Sequence, residues 1–464
     1  MLNNNFIIVL LWIYYFIAVC FVHICSSRSF RSCTLKKHRN CVFVRNISHS
    51  LVLKPEFNLV IKTNVLKINI YIISKFWLMR IAIIGTRGIP NHYGGFEQCA
   101  EYLSVGLVKK GYEVVVYNSH NHPYQQKEWN GVEIRHCYDP ECKLGTIGQF
   151  FYDLNCIRDL RKSNFDIILQ LGYTSSSVWS WLFPRNSVVT TNMDGLEWKR
   201  AKYSKPVQRF LHFAEKLAVK HSDHLIADSP EIQRYLANKY KKEATFIPYG
   251  AGLFENPSTE ILEDYDIKVH GYDMLIARME PENSIETILD GVVRADRDRP
   301  FLVVGNTAND FGEYLKLKFA PFNKIRFVGG VYDMGKLNNL RYYSNLYFHG
   351  HTVGGTNPSL LEAMASNGLV CSHDNKFNRA VLGDDAFYFS TAMDVAEHLR
   401  AVNKNDKTYE HFLVNNTDKI KTVYTCENIV NSYASHFESI KLDTVKTQPV
   451  LPGKMEVALF LENA

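Results

Sequence analysis

The run Arg80-Ile81-Ala82-Ile83-Ile84-Gly85 leads directly into Thr86-Arg87-Gly88-Ile89-Pro90-Asn91-His92-Tyr93-Gly94-Gly95, and a helical pattern follows over 96–110. A short apolar run, a glycine-rich loop and a helix in that order form the opening unit of a parallel sheet covered by helices. The glycine pair stands immediately before the helix. There, bare backbone lets amides approach a ligand and the helix N-terminus favours an anion. Gly94 and Gly95 are therefore candidate anion-binding positions, the alternative being a plain turn that needs glycine. The spacing is not G-x-G-x-x-G, which argues against a dinucleotide and hydride transfer.

Working outward, the same alternation continues. Strand patterns lie at EVVVYN (113–118), GVEIRHC (131–137), FDIILQLG (165–172), SVVTTNMDG (187–195), HLIADS (224–229) and ATFIPYG (244–250). Helical patterns lie at 149–162, at 210–221 and from Pro230, with Ser229 as its cap. A polar stretch over 256–271 carries no apolar period and is expected to be a linker. Beyond it the pattern restarts with strand DMLIAR, helix NSIETILDGVVRA, strands PFLVVG and KIRFVGG, helix MGKLNNLRYYS, strand NLYFHG, helix PSLLEAMASNG and strand LVCSHD. The expected fold class is α/β, with two Rossmann-like doubly wound domains facing a cleft. The expected domains are 79–255 and 256–445, with a tail over 446–464. The cleft between the carboxyl ends of the strands is the expected ligand site.

Composition sets the bounds. With 464 residues, 46% hydrophobic and 22% charged, the chain is long enough for two folded domains. The net charge of +6 is unevenly placed. Residues 1–78 hold ten Lys or Arg against Glu56 alone, leaving 43 basic and 46 acidic residues, a net −3, in the remainder. An acidic body argues against a nucleic-acid partner. Four of the ten cysteines fall within residues 1–78 and the other six are scattered without metal-ligand spacing, so reduced cytosolic thiols are the expectation. Phe6 to Ile24 is apolar over 19 residues. It reads either as a membrane anchor, with the following basic run holding the body at the cytoplasmic face, or as upstream sequence read in frame before a functional start at Met79.

A second glycine-rich loop, His349-Gly350-His351-Thr352-Val353-Gly354-Gly355-Thr356-Asn357, precedes Pro358 and a helix. Asn357 as cap and Pro358 at the first helical position define the helix start, and the turn before it offers amides to a diphosphate. Glu362 lies one turn into this helix, where its carboxylate could accept from a ribose hydroxyl pair or stand on a solvated face. Arg278 ends the first strand of the second domain. It could hold a departing β-phosphate or form a surface salt bridge with Glu280 or Glu282. Asp194, in Asn192-Met193-Asp194-Gly195, could hold or deprotonate an acceptor hydroxyl or serve as a turn-forming Asp-Gly. No metal-ligand set assembles from these residues, and no cofactor is expected.

Together the segments MRIAIIGTRGIPNHYGGFEQ, MDGLEWKRAKY and HGHTVGGTNPSLLEAMA, with the ARM strand end and the PEN loop, resemble glycosyltransferase family 4. They are similar in particular to its rhamnosyltransferase-like subgroup of bacterial polysaccharide assembly, over roughly Met79 to residue 440. The resemblance implies a GT-B fold, retention of anomeric configuration, a nucleoside-diphosphate sugar as co-substrate and independence from divalent metal. Glu362 matches the second glutamate of the family's Glu-x7-Glu motif. Gly354 stands where the first would be, and Asn283 replaces the lysine that commonly follows the donor-domain arginine. The donor-binding set implied is Gly94, Gly95, Asn283, Gly354, Gly355, Thr356, Asn357 and Glu362, with Arg278 and Asp194 catalytic. The expected acceptor is a saccharide or a lipid-linked glycan. Two rivals stay open: a nucleotide-sugar epimerase of the same fold and a non-catalytic nucleotide-sugar-binding subunit.

Overall fold

The computed structural model describes residues 79–447 apart from Tyr93 and Ala201. The anchor or upstream segment expected over 1–78 lies outside the described residues, as does most of the expected tail. Among the described residues the first sheet comprises β1 (Arg80–Ile84), β2 (Glu113–Ser119), β3 (Glu128–Trp129), β4 (Val132–Cys137), β5 (Ile167–Gln170), β6 (Val188–Asn192), β7 (His224–Ala227) and β8 (Thr245–Phe246). Their spatial order is β3-β4-β2-β1-β5-β6-β7-β8, parallel except for β3 against β4. Central β1 pairs with β2 (Ile83 opposite Val116) and β5 (Ile83 opposite Leu169). Its Ile81 to Ile84 are fully buried, as an unbroken apolar run covered on both faces should be. Gly85 and Gly172 end β1 and β5 in contact. A Cβ on Gly85 would lie 2.4 Å from the Gly172 nitrogen, and its φ is +83°, so only glycine fits.

The second sheet comprises β9 (Asp273–Ile276), β10 (Phe301–Val304), β11 (Ile325–Gly329), β12 (Tyr347–His349), β13 (Val370–His373) and β14 (Phe387–Phe389), in the order β11-β10-β9-β12-β13-β14. Every pairing in it is parallel. The helices along the first half are α1 (Gly95–Lys109), α2 (Gly148–Leu160), α3 (Lys205–His221) and α4 (Pro230–Tyr240). Those of the second half are α5 (Ile285–Ala295), α6 (Asp310–Phe319), α7 (Met334–Tyr343), α8 (Pro358–Ala365), α9 (Lys376–Leu382), α10 (Ala392–Ala401), α11 (Glu410–Lys419) and α12 (Cys426–Thr447). Ser229 caps α4 by accepting from the Ile232 amide at 3.2 Å, and Asn357 caps α8 by accepting from the Ser359 amide at 2.9 Å. Both caps fall where the sequence places them.

Three expectations are corrected. The stretch over 256–271 is not a bare linker: Glu260–Tyr265 forms a short 3-10 turn whose Ile261 and Leu262 join the second core. Helix α3 starts at Lys205, five positions before the apolar pattern suggests, because Pro206 sets its first turn. The largest correction concerns the end of the chain. Rather than closing the second domain at 445, α12 returns to the first sheet and buries Ile429, Val430, Tyr433, Phe437 and Ile440 among Leu103, Leu107 and Ile226. Gly106 makes this crossing close, since a Cβ there would sit 2.5 Å from Val430 Cγ2. His436 fastens it, with Nε2 at 2.9 Å from Thr190 Oγ1 and Nδ1 at 3.2 Å from Thr245 Oγ1.

Candidate functional site

Parallel strands deliver all their carboxyl ends to one edge, and here the two edges face each other. The loop after β1 is held from beneath by Asn118. Its Oδ1 accepts from the Ile89 amide at 3.0 Å and its Nδ2 donates to the Ile89 carbonyl at 2.8 Å. Glu97 Oε1 accepts from the Arg87 amide at 2.8 Å. Gly94 is extended and Gly95 opens α1, whose N-terminus has no side-chain cap. A Cβ on Gly95 would lie 3.4 Å from Pro358 Cγ, so the two glycine loops border the same space.

The loop after β12 crosses to the first domain. A Cβ on Gly195 would approach the Gly354 Cα to 2.7 Å, and one on Gly355 would fall 1.8 Å from Asp228 Oδ2. The Thr356 amide donates to that same carboxyl oxygen at 2.9 Å. Burial, with Asp194 close by, pushes the Asp228 carboxyl well above the usual range. Asp228 Oδ1 has no hydrogen-bond partner among the described residues. One of the amides assigned from sequence to a diphosphate is thus occupied by an internal carboxyl group.

Arg278 stands two residues beyond β9, exposed at the carboxyl edge. The salt-bridge alternative is not what forms: Glu280 pairs with Lys202 at 3.5 Å and Glu282 with Arg200 at 3.9 Å. Asn283, expected at the donor, is turned to another task. Its Nδ2 donates to the Arg278 carbonyl at 2.7 Å, and its own carbonyl packs under Gly350. It therefore shapes the turn that presents Arg278. A cation from the other domain lies beside this turn: Arg200, inside MDGLEWKRAKY and not singled out by the sequence reading, has Nη1 3.9 Å from Glu282 Oε1. Arg200 is held by Glu197, with Nη2 to Oε1 at 2.6 Å. Burial, then the nearby Arg278 and Arg200, holds His351 down to about 3, and the same burial keeps His349 well below its ordinary value. These two neutral rings stack 4.5 Å apart. Among the described residues both nitrogens of His349 and Nδ1 of His351 lack hydrogen-bond partners. No propensity argument marks such histidines; only the fold brings the arginines to them.

Asp194 sits in the turn that its Asp-Gly sequence suggests, and its carboxylate already has an internal partner. It has a left-handed φ of +42°, as a turn residue, while its Oδ1 accepts from Tyr249 OH at 3.0 Å. Glu362 faces the cleft yet is already engaged: Oε2 with Arg341 Nη2 at 2.6 Å and Oε1 with Gln98 Nε2 at 3.1 Å, the latter from the first domain. Arg341 was missed because it lies on the apolar face of α7, beside Leu337 and Leu340, where a core residue is expected. Among the described residues no three His, Cys, Asp or Glu side chains gather as a metal site.

Residues 78–252 match the family described as "Domain of unknown function (DUF1972)". No curated protein sequence matches the chain. Among solved structures, a sucrose-phosphate synthase from Thermosynechococcus elongatus superposes with a TM-score of 0.65 at 16% identity, covering 79% of this chain and 100% of that one. A glycosyltransferase from Rickettsia africae gives 0.59 at 12%, over 80% and 100% of the two chains. HepE of Anabaena, solved with UDP and glucose, gives 0.62 at 14%, over 78% and 100%. At such identities the likeness speaks to architecture, and the architecture is the one expected from sequence: two Rossmann-like units of parallel sheet facing a cleft, the GT-B fold.

Proposed function

We propose that this chain is a metal-independent glycosyltransferase that moves a sugar from a nucleoside-diphosphate donor, held against the second sheet, to an acceptor held against the first. The observation that carries the reading is the placement of the Arg278 guanidinium, without ion pair or hydrogen bond among the described residues, at a strand's carboxyl edge. There it acts on the same histidine as Arg200 from the opposite domain. A leaving diphosphate gathers negative charge as the glycosidic bond breaks. Two fixed cations and the amides of the Gly354–Gly355 turn stabilise that charge without reorganising. HepE, of the same fold, was solved with UDP and glucose, which favours a nucleotide sugar as the ligand here.

Asp194 lies at the meeting point of the domains, where its carboxylate can accept an acceptor hydroxyl proton. Glu362, braced by Arg341 and Gln98, keeps lone pairs for a ribose hydroxyl. From the resemblance, the transfer retains configuration, the donor is dTDP-rhamnose, and the acceptor is a saccharide or lipid-linked glycan of surface polysaccharide assembly. The test is incubation of the protein with a panel of nucleotide sugars and a short glycan acceptor, with and without EDTA, following both nucleoside diphosphate release and product mass. Transfer that survives EDTA supports the reading. Donor-dependent epimerisation without transfer would replace it, and absence of turnover with every donor would sink it.

A further inference from the structure

Helix α3 carries a charge pattern that the chemistry of the cleft does not use. Lys205, Arg209, Phe213, Lys216 and Lys220 follow one another at spacings of four, four, three and four, which puts them on a single stripe, and all are exposed. Leu211, Ala214, Ala218 and Val219 face inward. The four cations make no ion pair among the described residues. Like charges at i,i+4 repel, and Lys205 and Arg209 also sit at the end of the helix that disfavours cations. Lys220 lies in the last turn, where a cation is favoured, so the electrostatic cost of the stripe falls on its N-terminal half.

Large apolar side chains continue this surface. Trp181 is 69% exposed, Ile147 64% and Phe213 53%, with Phe151 beside them. The elements bearing them are joined: Trp179 Nε1 donates to the Phe150 carbonyl at 2.9 Å, and the Phe150 and Phe210 rings lie 5.6 Å apart. Between 142 and 222 every exposed ionisable Lys, Arg, Asp or Glu is a cation, although the body from 79 onward is net acidic. Aromatic and aliphatic side chains interleaved with unpaired cations on a helix lying flat are the composition that inserts at a charged lipid interface. No helix among the described residues is long and apolar enough to cross a membrane.

We infer that the outer face of α3, with the neighbouring segments 143–151, which runs into the start of α2, and 176–182, a 3-10 helix, is a docking surface for an anionic phospholipid bilayer. The apolar side chains enter the acyl boundary and Lys205, Arg209, Lys216 and Lys220 meet the headgroup phosphates. This binding is independent of whether sugar transfer occurs, so it is read by lipid contact rather than by activity.

The experiment places the photo-crosslinking residue benzoylphenylalanine at position 213 of the full chain and, as a control, at Tyr332, which is exposed on the other domain. Illumination is carried out with vesicles of equal parts phosphatidylglycerol and phosphatidylcholine, and with phosphatidylcholine alone. Lipid adducts are expected at 213 on the anionic vesicles, with few at 332. The combined substitution Arg209→Glu, Lys216→Glu, Lys220→Glu, checked for an unchanged Tm, should lower the adduct yield at 213 by at least about tenfold, since each cation contributes on the order of one kcal/mol near an anionic surface. Equal yields at 213 and 332, a yield indifferent to charge reversal, or adducts joining 213 to a second copy of the chain would each overturn the assignment.

Discussion

Arg278 is exposed, yet among the described residues it lacks the acidic partner that an exposed arginine usually finds, because Lys202 and Arg200 take the two neighbouring glutamates. A group so placed contributes little to folding and much to a charge that develops only during reaction. Arg278→Ala should therefore lower kcat by about 10²–10³-fold with Tm unchanged. A variant that turns over normally would remove the arginine from the mechanism. His351 makes the opposite kind of statement. Its ring is held down to about 3 in the folded protein, whereas the unfolded chain takes up the proton near 6.5. The associated stability is complete above pH 6.5 and falls as pH drops from there towards 3, by about 1.4 kcal/mol per unit. His351→Gln should flatten that part of a Tm-against-pH curve, and parallel curves would show that the histidine does not govern it. The placement of residues at the cleft was only half legible in sequence. Arg278, Asp194 and Glu362 could be found from strand ends and helix starts. Arg200, Asp228 and Arg341 could not, since their importance comes from partners 82, 128 and 21 positions away.

Among the elements, the glycine turn after β12 shows most clearly what packing demands. Sequence explains glycine at 354 and 355 by access for a ligand. The structure adds a steric reason, because any Cβ at 355 would overlap Asp228. Gly355→Ala should destabilise by about 1–3 kcal/mol through overpacking. Combined with Asp228→Ala, the loss should be smaller than the sum of the two single losses. Additive losses in thermal or denaturant unfolding would mean the turn relaxes without meeting Asp228. Strands and helices with strong periods were readable, as were the caps Ser229 and Asn357, since both are local properties of sequence. Glu128–Trp129 escaped notice because two residues carry no period, and the expected boundary at 445 put the chain's last helix with the second domain because sequence order does not say which sheet a helix covers.

For the molecule as a whole, the two sheets are tied across the cleft by Gln98 to Glu362, Thr356 to Asp228 and Lys202 to Glu280. A nucleoside diphosphate bound in the proposed position competes with Asp228 for the Thr356 amide while supplying new contacts to both domains. The proper donor nucleotide at 100 times its Kd should stabilise the protein by about 2.7 kcal/mol, read as a rise in Tm that EDTA leaves in place. A rise that depends on magnesium would require a metal bridge that these residues do not provide.

The return of α12 has a temporal consequence. A chain leaving the ribosome exposes β1 to β8 long before Cys426 emerges, so Leu103, Leu107 and the groove at Gly106 wait uncovered while the second sheet is made and folded. The half that is synthesised first is completed last, and the polypeptide closes like a belt whose tongue must travel past one whole domain to reach the buckle on the other.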